Sequence, residues 1–127
     1  MAKILLVDND SIVLKTLSHP MEKAGHCVLL ASNGRRAWEV LEDNPGIEAV
    51  ITDLSMPEMT GQELVEKMRG ESHTADIPVL MMSSVCSVSA VTELLKTGSS
   101  LFLPKPVTTR DLLAYIGSAT RTQAKAS

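Results

Sequence analysis

The chain has little of what several common functions require. No apolar run approaches the roughly 20 residues needed to cross a bilayer. Met1-Ala2-Lys3 leads straight into a short apolar stretch with no signal-peptide pattern. A cytoplasmic location with no membrane contact is therefore expected. There are only two cysteines, Cys27 and Cys86, far apart and outside any ligand motif. Reduced thiols are the default for that arrangement. His19, His26 and His73 have no metal-ligand spacing and read as surface or loop residues. Neither GxxxxGK followed by Ser or Thr nor GxGxxG occurs, so the chain does not look built to bind a nucleotide. Lys and Arg are scattered within a net charge of −3. A nucleic-acid partner for this domain is thus not expected, because a basic stripe is the usual footprint. The single tryptophan, Trp38, is placed at the margin of a helix's apolar face, where nothing makes it a ligand platform.

What is present is a core. The 127 residues are 44% hydrophobic, enough for one globular domain. Ile4-Leu5-Leu6-Val7 is a continuous apolar run, as in a strand buried on both faces. It ends in Asp8-Asn9-Asp10. Ile12, Val13, Leu14 and Leu17 then recur at helical spacing, with Gly25 as the stop. Pro20 inside this pattern predicts a kink or local break. Cys27 to Ala31 is a second strand. A helix opened by Asn33-Gly34 follows, with Ala37, Val40 and Leu41 on its apolar face, and Asn44-Pro45-Gly46 makes a turn.

The stretch from Ile47 to Gly61 organises the rest. A β-branched apolar run ends at one carboxylate, Asp53, and Pro57 and Gly61 then mark a loop. An acid there either caps a loop or belongs to a site. A helix from about Gly61 to Arg69 turns Leu64, Val65 and Met68 inward, and Glu71 to Asp76 is a polar connection. Ile77 to Met82 is a fourth strand, ending in Ser83-Ser84. Val88, Val91, Leu94 and Leu95 make a helix ended by Gly98. Leu101-Phe102-Leu103 is a fifth strand, ending in Pro104-Lys105-Pro106. Thr108 starts the last helix with Asp111 three residues on, and Leu112, Leu113 and Ile116 face the core. From Ser118 the chain is polar and is expected to fray. Five strands alternating with five helices give an α/β fold, a doubly wound parallel sheet with helices on both faces. Periodicity leaves the strand order open.

Four strand ends carry polar groups: Asp8-Asn9-Asp10, Asp53, Ser83-Ser84 and Lys105. In a parallel sheet these ends share one edge. Carboxylates, a hydroxyl and a lysine converging there point to a divalent cation and a phosphoryl group. Hard oxygen donors suit Mg²⁺, and a carboxylate nucleophile can form an aspartyl phosphate. The alternative makes Lys105 a surface cation and Ser83 an ordinary strand-end residue. Agreement among four separate ends disfavours it.

These residues carry a resemblance to the receiver domains of two-component response regulators, over about Lys3 to Gly117. It rests on Ile4-Leu5-Leu6-Val7-Asp8, the run Thr52 to Gly61, Ile77 to Ser84, and Gly98 through Leu101-Phe102-Leu103-Pro104-Lys105-Pro106, in that order. The resemblance implies a flavodoxin-like receiver fold with strand order 2-1-3-4-5, a receiver domain over 1–120 and a polar tail over 121–127. It implies that Asp53 accepts a phosphoryl group from a histidine kinase or phosphotransfer protein. Asp8, Asn9, Asp53 and the Ser55 carbonyl would hold Mg²⁺, Ser83 and Lys105 would contact the phosphoryl oxygens, and Phe102 would be the aromatic switch position. The Lys105–Pro106 peptide is expected to be cis. Output would run through the fourth helix, fifth strand and fifth helix, toward a partner the sequence does not name. Such a protein is a signalling phosphoacceptor rather than an enzyme, assisting its own phosphorylation and slow dephosphorylation.

Asn9 departs from the family pattern, which usually has a second acid there. Asn9 offers an amide oxygen without charge, Asp10 is expected to cap the first helix, and Asp8 to take over the metal contact. A receiver-like interaction module that works without phosphorylation is the alternative this motivates. A phosphatase is a third reading, but no second acid follows Asp53 as DxD and no cap domain fits in 127 residues. With no effector domain in the sequence, a single-domain regulator or a fragment is expected. Ser99-Ser100 stand where dimerising receivers carry acids, so a monomer, or a dimer without salt bridges there, is expected.

Overall fold

The computed structural model describes the backbone of residues 2–56, 58–84, 87–96, 98 and 100–126, with side chains for these except Leu94 and residues 120–126. In chain order the elements are β1 (Lys3–Val7), α1 (Ser11–Lys23), β2 (Cys27–Ala31), α2 (Gly34–Asp43), β3 (Ala49–Asp53), α3 (Gly61–Arg69), β4 (Val79–Ser83), α4 (Val88–Lys96), β5 (Leu101–Pro104) and α5 (Thr109–Ala126). The strands form one parallel sheet in the order β2-β1-β3-β4-β5. The expectations for Pro57, Val85, Cys86 and Ser99 lie outside the described residues.

The continuous apolar runs are explained by burial on both faces. Successive side chains of a strand point to opposite sides. Leu5, Val7, Val50, Val79 and Met81 therefore pack under α2 and α3. Ile4, Leu6, Ala49, Ile51, Leu80 and Met82 face α1 and α5 on the other side. The edge strand β2 keeps only Ala31 buried.

Helix boundaries follow local chemistry. Asp10 caps α1, its carboxylate accepting the Ile12 N–H at 2.9 Å. Asn33 caps α2 by accepting the Arg36 N–H at 2.7 Å. Thr60 and Glu63 form a reciprocal capping box at the start of α3. Pro20 does not break α1, which runs unbroken to Lys23. The proline leaves the Thr16 carbonyl without its helical donor, and Thr16 is exposed, so water can serve that acceptor. The polar segment from Ser118 is likewise helical rather than frayed, since α5 extends to Ala126. Trp38 sits half-buried at the edge of the α2–α3 core, with Lys67 Nζ 4.8 Å above its ring and His73 edge-on at 5.7 Å. No helix among the described residues is long and apolar enough to cross a membrane.

Candidate functional site

The parallel sheet aligns the carboxyl ends of β1, β3, β4 and β5 on one edge. Asp53 is the last residue of β3 and is paired in register with Met82 of β4. Asp8 lies one residue beyond β1, where its N–H still bonds Ala31 O at 3.1 Å. Ser83 ends β4, and Lys105 follows β5 with its N–H on Ser83 O at 2.9 Å. Asp8, Asp53 and Ser83 are all buried.

Lys105 Nζ reaches Asp53 Oδ1 at 3.0 Å and stands 3.8 Å from Asp8 Oδ2. Asp8 uses its other oxygen, Oδ1, to accept the Asp10 N–H at 2.9 Å. Its Oδ2 is buried with no hydrogen-bond partner. Burial pushes the Asp8 carboxyl above its ordinary range, the Asp10 N–H works against this, and the nearby Asp53 charge adds to it. Two acids thus share one ammonium in a water-poor corner.

The loop after β3 is shaped by a glycine. A Cβ on Gly61 would collide with the carbonyl oxygen of Asp53 and come within 2.8 Å of Met81 Sδ. Gly61 N–H closes the loop on Leu54 O at 2.9 Å. Inside it Glu58 adopts φ 68°, a left-handed conformation that costs a non-glycine residue energy. Gly34 opens α2 where a Cβ would strike the Met59 carbonyl, so the helix start and the loop touch directly.

Asp8, Asp53 and Lys105 are brought into contact, with Ser83 joined through the backbone. Asn9 and Ser55 are exposed beside them. Phe102 lies opposite Met81 and packs, half-buried, against the α2–α3 core. The Lys105–Pro106 peptide is cis. Three contributors were not singled out from sequence. The Thr60–Glu63 box had a readable signal, Thr-x-x-Glu before an apolar run. The close approaches at Gly34 and Gly61 had none beyond the glycines themselves.

The donor set fits a small hard cation. An orphaned buried carboxylate oxygen on Asp8 stands 3.8 Å from the ammonium that holds Asp53, and Mg²⁺ takes one or two carboxylates and completes its shell with water and phosphate oxygens. Among the described residues no group of three or more His, Cys, Asp or Glu side chains gathers for a metal, which leaves neutral oxygens for the remaining positions.

A doubly wound sheet of order 2-1-3-4-5 with two acids and a lysine joined at its carboxyl edge is the architecture of a flavodoxin-like signalling domain. The response regulator receiver domain model matches residues 4–117, and the chain belongs to that family. It is 36% identical over 107 residues to a chemotaxis protein CheY homologue of Campylobacter jejuni, covering 84% of this chain and 82% of that one. It is 36% identical over 109 residues to the two-component response regulator ORR5 of Oryza sativa, covering 86% and 81%. Among solved structures, a response regulator receiver domain protein from Clostridium thermocellum superposes over 100% of both chains with TM-score 0.92 and 27% identity. The chemotaxis response regulator CheY4 of Vibrio cholerae follows with TM-score 0.88 and 31% identity over 94% of this chain and 98% of that one. Receiver domains of this kind are signalling phosphoacceptors rather than classical enzymes.

Proposed function

We propose that this chain is a response-regulator receiver that accepts a phosphoryl group on Asp53 from a phosphohistidine of a histidine kinase or phosphotransfer protein. The observation that carries the reading is the Lys105 Nζ–Asp53 Oδ1 contact at 3.0 Å beside the orphaned Asp8 oxygen. An Asp53 oxygen attacks phosphorus, the bond to the donor imidazole breaks, and the imidazole leaves with the electron pair and takes up a proton. Phosphoryl transfer is mostly positioning and charge neutralisation. Lys105 holds the carboxylate and then follows the transferred oxygens. Ser83 donates its hydroxyl to one of them. Asp8 and Asp53, with Asn9 and the Ser55 carbonyl, would hold Mg²⁺, which when bound supplies positive charge to the phosphoryl oxygens.

A cleft of about 430 Å³ between α1 and the segment after Lys105 opens beside the site. Its apolar walls include Ile12, Val13, Leu17, Met82 and Val107, a suitable seat for a protein donor. On the output side, exposed Val88 and Leu95 of α4 and Tyr115 of α5 offer apolar surface to an effector. A cytoplasmic location agrees with this partner set.

Incubation with acetyl phosphate and Mg²⁺ tests the reading by intact mass. One phosphoryl group is expected on the parent chain and none on Asp53→Asn. No gain under any condition would instead favour a receiver-like interaction module working without phosphorylation, the reading that uncharged, exposed Asn9 motivates.

A further inference from the structure

Among the described side chains, those of α4 are held least by the core. None of its described side chains is buried, and none belongs to either core layer. Val88 is 83% exposed and Leu95 46%. Every other helix sets at least two buried apolar or small residues against the sheet, such as Leu17 and Met21 of α1 or Leu112 and Ile116 of α5.

The chain leaving α4 is fastened, however. The Gly98 carbonyl accepts two hydrogen bonds from one guanidinium, from Arg69 Nε at 3.1 Å and Nη2 at 2.8 Å. Arg69 Nη1 points the other way, to Ala75 O at 3.1 Å and Ile77 O at 2.8 Å. Arg69 ends α3, whose Leu64, Val65 and Met68 are fully buried, so its backbone is a fixed post. Gly98 has φ +115°, and a Cβ there would approach Arg69 Cγ to 2.9 Å and Val65 Cγ1 to 3.3 Å. Glycine is needed both for that backbone and for the arginine stem lying over it. Two residues on, Ser100 donates its N–H to Val79 O at 2.8 Å and accepts the Val79 N–H on its hydroxyl at 3.1 Å.

The two ends of α4 lie at opposite edges of the sheet. The preceding chain comes from Ser83, at the carboxyl edge of the sheet beside Asp53. The following chain is clamped at the opposite edge. We propose that Arg69 is the pivot of α4, its planar fork fixing Gly98 to the end of α3 and the start of β4, so that a change at the Ser83 end swings the helix about its Gly98 end. The swing on phosphorylation rests on the receiver reading; the anchor itself does not. Arg69 acts as a positioning residue, well away from the reacting atoms. Lysine cannot replace it, because one ammonium cannot span the Gly98 and Ile77 carbonyls as the fork does.

Residue-resolved amide exchange on the full chain, with Arg69→Gln and Arg69→Lys, tests the anchor without phosphorylation. Losing a charged donor pair should speed exchange of the Gly98 and Ser100 amides and the last turn of α4 by about tenfold or more. Amides of β1 and α5 should stay unchanged, and Arg69→Lys should recover only part of the protection. Unchanged rates at Gly98 and Ser100, or an equal rise throughout the protein, would overturn the anchor. A second arm repeats the measurement after acetyl phosphate and Mg²⁺, with loading read by intact mass. In the parent, changes should concentrate at the start of α4 and leave Gly98 and Ser100 still; in Arg69→Gln they should spread along the helix. Equal changes at both ends in the parent would overturn the pivot. Absence of a mass gain would overturn the phosphoacceptor reading and leave the anchor decided by the first arm.

Discussion

Asp8 Oδ2 stops 3.8 Å short of Lys105 Nζ, near enough for charge attraction but too far for a hydrogen bond. Lys105 gives its short contact to Asp53, at 3.0 Å. Asp8 is therefore a buried carboxylate with one oxygen unmatched and a like charge beside it. Such a group costs stability for as long as no cation answers it.

Asp8→Asn is accordingly expected to stabilise the metal-free protein by about 1 kcal/mol while weakening Mg²⁺ binding at least about tenfold. Thermal melts and calorimetric titration measure the two effects. A lower melting temperature without metal would contradict this account of Asp8.

Asn9→Asp should tighten Mg²⁺ binding, by roughly tenfold or more, because one added unit charge at close range matters even after screening. Asn9 is exposed at the mouth of the site, so the new carboxylate carries little burial penalty. Equal affinities of the two proteins, by calorimetry or NMR titration, would sink the idea.

Gly61→Ala should destabilise the fold by about 2–3 kcal/mol, because the added methyl meets the Asp53 carbonyl and Met81 Sδ rather than open space. The same displacement moves Asp53, so loading from acetyl phosphate should slow as well. Urea denaturation and intact-mass time courses read the two consequences; an unchanged urea midpoint would show that the loop gives way freely.

Acid should loosen the start of the sheet through His26. Its Nδ1 accepts the Ala2 N–H at 3.1 Å, which only an unprotonated Nδ1 can do. Burial lowers its pKa from the ordinary 6.5, while Glu48 works the other way. The unfolded chain then binds more protons within the window between the two values. This contribution is complete above the unfolded value and is lost as pH falls through the lower folded one. The urea midpoint of the parent should drop between about pH 7.5 and about pH 5 more than that of His26→Ala. Parallel pH profiles would remove His26 from the account.

A loaded Asp53 should lose its phosphoryl group slowly. In receivers, the residues two past the phosphorylated Asp and two past the hydroxyl residue commonly influence the attacking water, and here they are Ser55 and Val85. Ser55 is short, and Val85, which lies outside the described residues, has no polar atom. A cation site that lacks the second acid at Asn9 would further reduce stabilisation of the developing charge. Val85→Glu combined with Ser55→Asn should speed the loss, followed by phosphate-affinity gel after donor removal. Decay of the parent as fast as the double mutant would refute this.

Much of the architecture is a local property and was legible in the sequence. The runs Ile4 to Val7 and Val79 to Met82 lack any polar alternation because both faces of those strands are covered, and that pattern is written in consecutive residues. Asp10, Asn33 and Thr108 serve backbone donors two or three residues away, so their capping is equally local. Asp8, Asp53, Ser83 and Lys105 stood out because each follows an apolar run, and a parallel sheet puts all such ends on one edge.

Tertiary structure decided the rest. Spacing along the chain contains no strand order, since β1 lies between β2 and β3 only through crossovers. Nor does it tell which acid Lys105 reaches, which depends on ångström distances between segments 52 and 97 residues apart. Apolar periodicity marked α4 as a helix but could not reveal Val88 and Leu95 in solvent, because exposure is set by what the sheet leaves uncovered. Arg69 read as one more basic residue at a helix end. Only the folded chain brings the carbonyls of Ala75, Ile77 and Gly98 around its guanidinium, because backbone acceptors are the same at every residue and leave no mark in the sequence.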